Sequence, residues 1–512
     1  MKKGLTLILF ILQVFVLKLH AQIQPIENSS LNYRLIGFKV PALAGNATKY
    51  SLLIAEGAYL LEDEFAKNIS QTFTGKTNAF IEEVKTFGRN YTWQIICVTS
   101  SDKTIKSPLY HFNTQVLPVE YASYRMHVTT PAKKYADAYV FNDGNKMLYN
   151  MKGEPVWFLP NLKNYDATNR DVRDIKASNF GTITILGEDG PREIDYNGNT
   201  LWEPPKNADA NITGEGNFHH DLNRLRNGNY MIMGNENRPW KKCEGPTCDS
   251  NSLSAASTAA PGGKTILAPF TTIIEYNAAK KVVWRWSSFQ YLLHSDIFFH
   301  KGPDGTIDID AHANAFYLNE KEGKLYISFK NINRIVVVSY PGGKVLREYG
   351  PHFGNDGYQQ TALQFSEQHS VRASASGLYL YNNNEDHKAS GPSIVVFKEP
   401  AATNEALLKT WDFKCPQGPD TYSDIVTNLN RHGGKVKELE DKSYFVSNCS
   451  PYFNLFIVNK NKQLLWEAVA QKIDPVTKKW TPTNSYRSDI ITSHEVLSKI
   501  IWNTSEQSSL GL

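Results

Sequence analysis

The chain has 512 residues, with 55 Lys and Arg against 51 Asp and Glu, a formal net charge of +4 and 12% aromatic residues. Lys2, Lys3 and Lys18 belong to an N-terminal segment read below as removable, so the remainder is near neutral and has no clustered basic face for a nucleic acid. The length exceeds one ordinary domain, and abundant Gly, Asn and Asp among the aromatic residues points to short strands joined by turns.

Met1-Lys2-Lys3, the apolar stretch Leu5 to Leu17 and the small residue Ala21 predict a secretory signal peptide over residues 1–21. The apolar stretch is shorter than the roughly 20 residues of a membrane span, although a retained anchor is the alternative. No later stretch is long and apolar enough to span, so no membrane span is expected after processing, and the location expected is periplasmic or secreted.

Residues 24–117 alternate apolar and polar positions in Tyr50 to Ile54, Tyr91 to Ile96 and Leu109 to Thr114, which predicts a small fibronectin- or Ig-like β-sandwich with Trp93 in its core. Val116 to Val119 reads as the connector, and this part is assigned no chemistry.

Over residues 119–500 a unit recurs. A turn followed by an apolar strand ends in Trp at Met151 to Trp157, Tyr196 to Trp202, Tyr276 to Trp284 and Val458 to Trp466. Tyr340 to Leu346 has Leu in place of Trp, and Leu407 to Trp411 is a degenerate copy. A second half, a tight turn feeding an alternating strand, stands at Asn227 to Met233, Glu322 to Ser328, Ser376 to Tyr381 and Asp441 to Ser447. Six such units, each a sheet unable to bury both faces alone, predict an all-β architecture: a six-bladed β-propeller behind the sandwich. An irregular stack of β-sandwiches is the alternative.

Export permits disulfides. Cys243-Glu-Gly-Pro-Thr-Cys248 has a turn-forming centre and reads as a clipped loop; no second cysteine pair accompanies it as a metal site would need. Cys415 with Cys449 is a further pairing, and Cys97 in an apolar strand reads as a buried free thiol.

Three histidines stand beside turn–strand units of different copies: Phe218-His-His-Asp-Leu222, Asp308-Ile-Asp-Ala-His-Ala-Asn314 and Phe365-Ser-Glu-Gln-His-Ser370. Each is expected to precede an inner strand, at the edge facing the axis, so that His220, His312 and His369 converge. Asp221 and Asp310 either orient these histidines or are ordinary turn residues.

With His220-Asp221 before Asn227-Gly228, His312 and Asn314 before Ser328, and Gln368-His369 before Gly377, the chain resembles the bacterial arylsulfotransferases that draw on aryl sulfate esters instead of a nucleotide sulfate (PAPS). The resemblance spans about residues 25 to 490, and its motifs are specific as an ordered set rather than singly. It implies transfer of a sulfuryl group from an aryl sulfate to a phenol by a ping-pong route through a sulfohistidine. His369 would be the nucleophile, with His220 and His312, together with an Arg, on the sulfuryl and bridging oxygens. Asn314 and Asp221 are carried over as substrate-binding residues. The family's Arg falls near Lys330, which keeps the charge but lacks the bidentate fork; Arg334 is the candidate substitute. No cofactor and no metal are expected, and the partners expected are small aromatic sulfates and phenols, with a homodimer admitted. The alternatives are a metal-dependent polysaccharide lyase on a propeller and a non-catalytic extracytoplasmic binding propeller.

Overall fold

The computed structural model describes residues 23–503 apart from 163–170, 206–217, 258–259, 298–299, 302–306, 309, 352–363, 385–390, 402–405, 418–432, 449–451 and 484. The proposed signal peptide therefore lies outside the described residues, as does Cys449. The chain divides into one compact unit of residues 1–31 and 35–115 and a second of residues 32–34 and 116–512. Both are built from β-strands, with helix confined to short segments such as His494–Trp502. Among the described residues no helix is long and apolar enough to cross a membrane.

In the first unit, Ala47–Glu56 and Asn90–Thr99 are the central strands of a six-stranded sheet, and Leu35–Lys39 pairs with Ala79–Glu83 in a second sheet. Phe38 from the smaller sheet meets Trp93 and Phe112 of the larger one edge to face, at 5.3 and 5.9 Å between ring centroids. Trp93 is fully buried there, as the alternation predicts. Cys97 is a buried free thiol.

The second unit contains six antiparallel sheets of four or more strands among the described residues. The first holds Tyr139–Asn142, Met147–Asn150 and Pro155–Phe158, and is completed by Asp489–Ile491 from the far end of the chain. The second runs from Val172–Ala177 to Thr200–Trp202, the third from Phe218–Arg224 to Val282–Ser287 and the fourth from Ala313–Asn319 to Val345–Tyr349. The fifth runs from His369–Ser374 to Leu408–Lys414, and the sixth from Lys435–Glu438 to Leu464–Ile473. Successive sheets pack face to face. Met231, Phe270 and Ile273 of the third share a core with Phe316, Ile327 and Val336 of the fourth. In Arg334–Ser339 five consecutive residues are buried, because both faces of that sheet are covered.

The repeat read from the sequence falls on the fourth strand of every sheet and the turn that feeds it. Four of its tryptophans donate their indole N–H to the corresponding turn of the next sheet: Trp157 to the Tyr196 carbonyl (2.7 Å), Trp284 to Pro341 (2.8 Å), Trp411 to Lys460 (3.0 Å) and Trp466 to Met151 (3.1 Å). The last of these runs from the sixth sheet to the first. Trp202 stacks flat on Tyr230 of the third sheet, with centroids 3.7 Å apart. The copy with Leu346 differs from expectation. In the other five copies the Trp stands two residues beyond the residue paired across the bulge, as Glu275↔Trp284 follows Tyr276↔Val282. In the fourth sheet Val337↔Arg347 follows Val338↔Val345, so the equivalent residue is Arg347. Its guanidinium donates to the Pro400 and Ala401 carbonyls in the turn of the fifth sheet. A guanidinium thus takes the place of the indole.

The opposite edges of the sheets also follow one another. The strand Phe218–Arg224 lies against Val172–Ala177 and Ala313–Asn319, and His369–Ser374 lies against Ala313–Asn319 and Lys435–Glu438. Lys437 donates to the Ile490 carbonyl (2.8 Å), which links the sixth sheet to the strand that completes the first.

Candidate active site

His220 and His369 lie within the first strands of the third and fifth sheets, and His312 immediately precedes that of the fourth, so two of the three stand inside the strand instead of ahead of it. Each strand loses register at its histidine: between Phe218 and Leu222, Ala313 and Ala315, and His369 and Arg372. Such bulges re-aim a side chain at the cost of local pairing. The backbone is also left-handed at His220 (φ 62°), His312 (φ 53°), Glu367 (φ 48°) and Ser370 (φ 54°). Conformations of this kind cost roughly 1–3 kcal/mol each in non-glycine residues and persist where surrounding contacts over-determine them.

These three strand ends bring the imidazoles together. The His220 and His312 rings are 5.0 Å apart, centroid to centroid, and nearly perpendicular. Tyr486 stands between His220 and His369, 6.0 Å from the first and 6.2 Å from the second. His369 is enclosed, with 2% of its surface exposed, whereas the His312 side chain retains 33%. The cluster therefore opens on the His312 side and His369 lies deep.

Hydrogen bonds define the state of His369. Its Nδ1 is 2.8 Å from Asn383 Oδ1 and 3.1 Å from the Glu367 carbonyl, and Asn383 is oriented by donating from Nδ2 to the Gly433 carbonyl (3.1 Å). Both neighbours of Nδ1 are acceptors, so Nδ1 carries the proton and the lone pair sits on Nε2. Among the described residues Nε2 has no hydrogen-bond partner. Burial, followed by the Arg487 and Lys330 charges, holds this imidazole well below its ordinary pKa and therefore neutral.

His220 is likewise kept neutral by burial and by the neighbouring His219, His312, Arg487 and His369. Its Nδ1 is 2.5 Å from His219 Nδ1, one ring donating to the other, and burial also lowers the His219 pKa. His312 is oriented by Asp310, which accepts from the His312 backbone N–H (2.7 Å) and lies 3.3 Å from Nδ1.

Lys330 reaches this cluster, with its ammonium 3.1 Å from the Glu367 carboxylate. Arg334 is held elsewhere. Its guanidinium is wholly buried against Asp296 (2.7 and 2.9 Å) and also donates to the Pro351 carbonyl and the Tyr291 hydroxyl. Its donors are committed, so it does not act as the spare cation the sequence suggested. Asn314 is fully buried and donates to the Gln368 carbonyl (2.8 Å), while Gln368 donates to Ser328 Oγ (3.0 Å); these motif residues join the fourth and fifth sheets directly behind His369. Asp221 is buried and ion-paired with Lys176 (2.7 Å); burial opposes its ionisation, but Lys176, Arg372 and Arg487 hold its carboxyl well below the usual carboxylate range.

The sequence carries no pattern that marks His219, Asn383, Tyr486 or Arg487. The pair His219-His220 was visible as adjacent letters, but Tyr486 and Arg487 stand outside every repeat copy and join the cluster only because Asp489–Ile491 completes the first sheet. The predicted Cys243–Cys248 disulfide is present and fits an extracytoplasmic protein. Among the described residues no group of three or more His, Cys, Asp or Glu is arranged to hold a metal ion.

Residues 248–491 match the family model described as Arylsulfotransferase (ASST). No curated protein matches the chain. Among solved structures, a Bacteroides caccae protein of unknown function is similar at 12% identity and a TM-score of 0.39, over 72% of this chain and 99% of that one. A Pseudomonas aeruginosa periplasmic gluconolactonase is similar at 9% identity and a TM-score of 0.27, over 86% and 99% of the two chains. A luciferin-regenerating enzyme is similar at 11% identity and a TM-score of 0.32, over 70% and 94%. These similarities are too low to carry an assignment. The family match covers His312 and His369 and reaches Arg487, so over that stretch the chain is similar to the arylsulfotransferases.

Proposed function

We propose that the protein is a periplasmic or secreted, nucleotide-independent aryl-sulfate sulfotransferase whose six sheets are the blades of a propeller, preceded along the chain by a sandwich domain. The family match over residues 248–491 supports aryl sulfotransferase activity, with aryl sulfate esters and phenols as the substrates the family acts on. The observation that carries the finer reading is His369: a deep imidazole, protonated on Nδ1 by its contacts and bearing an unengaged Nε2 lone pair, near the Arg487 and Lys330 charges.

In the first half-reaction Nε2 attacks sulfur, the bond from sulfur to the aryl oxygen breaks, and the aryl oxide leaves with its electron pair. His312, oriented by Asp310 at the open side, is suited to hand that oxygen a proton, a step worth about 10²–10⁴-fold. His220 and Lys330 supply donors for the sulfuryl oxygens, where positioned charge acts in a water-poor pocket. In the second half a phenol oxygen attacks the same sulfur, the Nε2–sulfur bond breaks, and the phenol proton goes to the base that served as the acid. The product is a new aryl sulfate and free His369, and the kinetics are ping-pong. With the Arg334 guanidinium committed to Asp296, Lys330 is the candidate of the two for the family's Arg. Lys330 binds as a point charge where an Arg would grip two oxygens.

The test is an intact-mass measurement after mixing the protein with 4-nitrophenyl sulfate and no acceptor. A gain of one sulfuryl group, mapped to His369 and discharged by added phenol, is expected. Release of 4-nitrophenol with the label elsewhere, or with His369→Ala as active as the parent, overturns the reading.

A further inference from the structure

Arg487 joins the cluster from the loop ahead of the closing strand, and its side chain is 4% exposed. The buried Asp143 carboxylate, from the first turn of the first sheet, holds that loop by accepting from Ser485 Oγ (2.6 Å) and from the backbone N–H groups of Tyr486 (2.9 Å) and Arg487 (2.7 Å). The guanidinium then spans two neighbouring sheets. One nitrogen donates to the His220 carbonyl (2.6 Å) and another to the Asn314 carbonyl, while Asp221 lies 3.7 Å away. Both carbonyls belong to bulged, left-handed stretches that carry site histidines, where the ordinary ladder does not serve them.

We propose that Arg487 is the positioning residue of the site, a guanidinium that ties the His220 and His312 strand ends together through their backbones and aims their imidazoles at the sulfuryl group on His369. This rests on the sulfotransferase reading. A planar fork with several fixed N–H directions can bridge two carbonyls on different strands, which an ammonium cannot do with the same geometry. The same charge faces His369, so it also favours the neutral nucleophile. The other groups facing His369 are Lys330 and His312 from the fourth sheet, His220 from the third, Tyr486 from the closing segment, and Asn383 and the Glu367 carbonyl from its own sheet. Lys330 is paired with Glu367, which leaves Arg487 as the cation whose removal the imidazole would feel most.

Arg487→Lys and Arg487→Met separate the two contributions. In Arg487→Lys the charge stays and the bridge is lost. We expect kcat for transfer from 4-nitrophenyl sulfate to phenol to fall about 10–100-fold, as a displacement near 1 Å would cause, with the acid limb of the pH profile unmoved. In Arg487→Met kcat falls further and the acid limb moves upward, towards the ordinary imidazole value. A merely structural Arg487 would lower Tm while leaving kcat per folded molecule and the pH limb at their parental values, and that result overturns the proposal. Should Arg487→Met not fold, Arg487→Lys decides: parental kcat without the bridge overturns it. Failure of the parent to label at His369 is a separate result and counts against the sulfotransferase reading instead.

Discussion

The outer and inner edges of the six sheets are built on opposite logics. At the outer edge one contact is repeated: an indole, or Arg347 in its stead, bonds or stacks onto the next sheet. At the inner edge the bulge recurs but the side chains it presents do not. Buried charges differ from strand to strand, and the bulged, left-handed stretches carry histidines in only three of the six. The outer edge is a latch, for which redundancy is useful. On the proposed reading the inner edge holds one reacting centre, where each position has a different task. Closure links the two, because the strand Asp489–Ile491 completes the first sheet and its approach delivers Tyr486 and Arg487 to the histidines.

That contrast breaks most sharply at His369. Its replacement by Ala should reduce aryl-sulfate turnover by about 10³-fold or more while leaving urea-unfolding stability near the parental value; retained 4-nitrophenol release would mean that the inner edge is not catalytic. Trp466→Ala should do the reverse. Losing a fully buried indole that bridges the sixth and first sheets should cost about 3–5 kcal/mol in chemical denaturation, with kcat per folded molecule retained. If instead activity falls with unchanged stability, latch and site are not separable.

Acid titration tests the inner edge in another way. His219, His220 and His369 are held neutral below their ordinary value of 6.5, so the unfolded chain takes up protons first as pH falls. Stability should be complete above about pH 6.5 and decline below it, and the acid limb of kcat/KM should lie under 6.5; denaturation midpoints flat from pH 7 to 5 would contradict the assignment. The smallest effect is expected at Arg347. Its replacement by Ala removes a half-exposed donor pair from a latch that five other contacts reinforce, and should cost about 1 kcal/mol in the same denaturation assay. A cost as large as that of Trp466→Ala would show that the fourth latch is not a lesser version of the others.

Much of the outer edge was legible beforehand. Turn, apolar strand and Trp recur because every sheet meets the same packing problem, and periodic demands leave periodic letters. Even there, a one-residue register choice hid Arg347 behind Leu346, since a bulge is not visible as a spacing. At the inner edge His220, His312 and His369 could be picked out, but not which neighbours would serve them. Arg334 and Lys330 stand four residues apart and carry the same sign. Only their places in the fold, Lys330 in the turn after Lys324–Phe329 and Arg334 at the start of Arg334–Ser339, send one towards His369 and the other into a closed ion pair with Asp296.

By itself the sequence determined the all-β class, the recurring unit, the three histidines, the Cys243–Cys248 clip and the likeness to the arylsulfotransferases, because each rests on local pattern or on residue chemistry in a fixed order. The tertiary structure decided which nitrogen of His369 is left without a hydrogen bond, which cations stand near it, and that Arg487 bridges two strand ends 173 and 267 residues away from it in the chain. Those outcomes depend on burial and on distances across sheets, and in a buried site a shift of an ångström reassigns a proton or a charge that no spacing in the chain records.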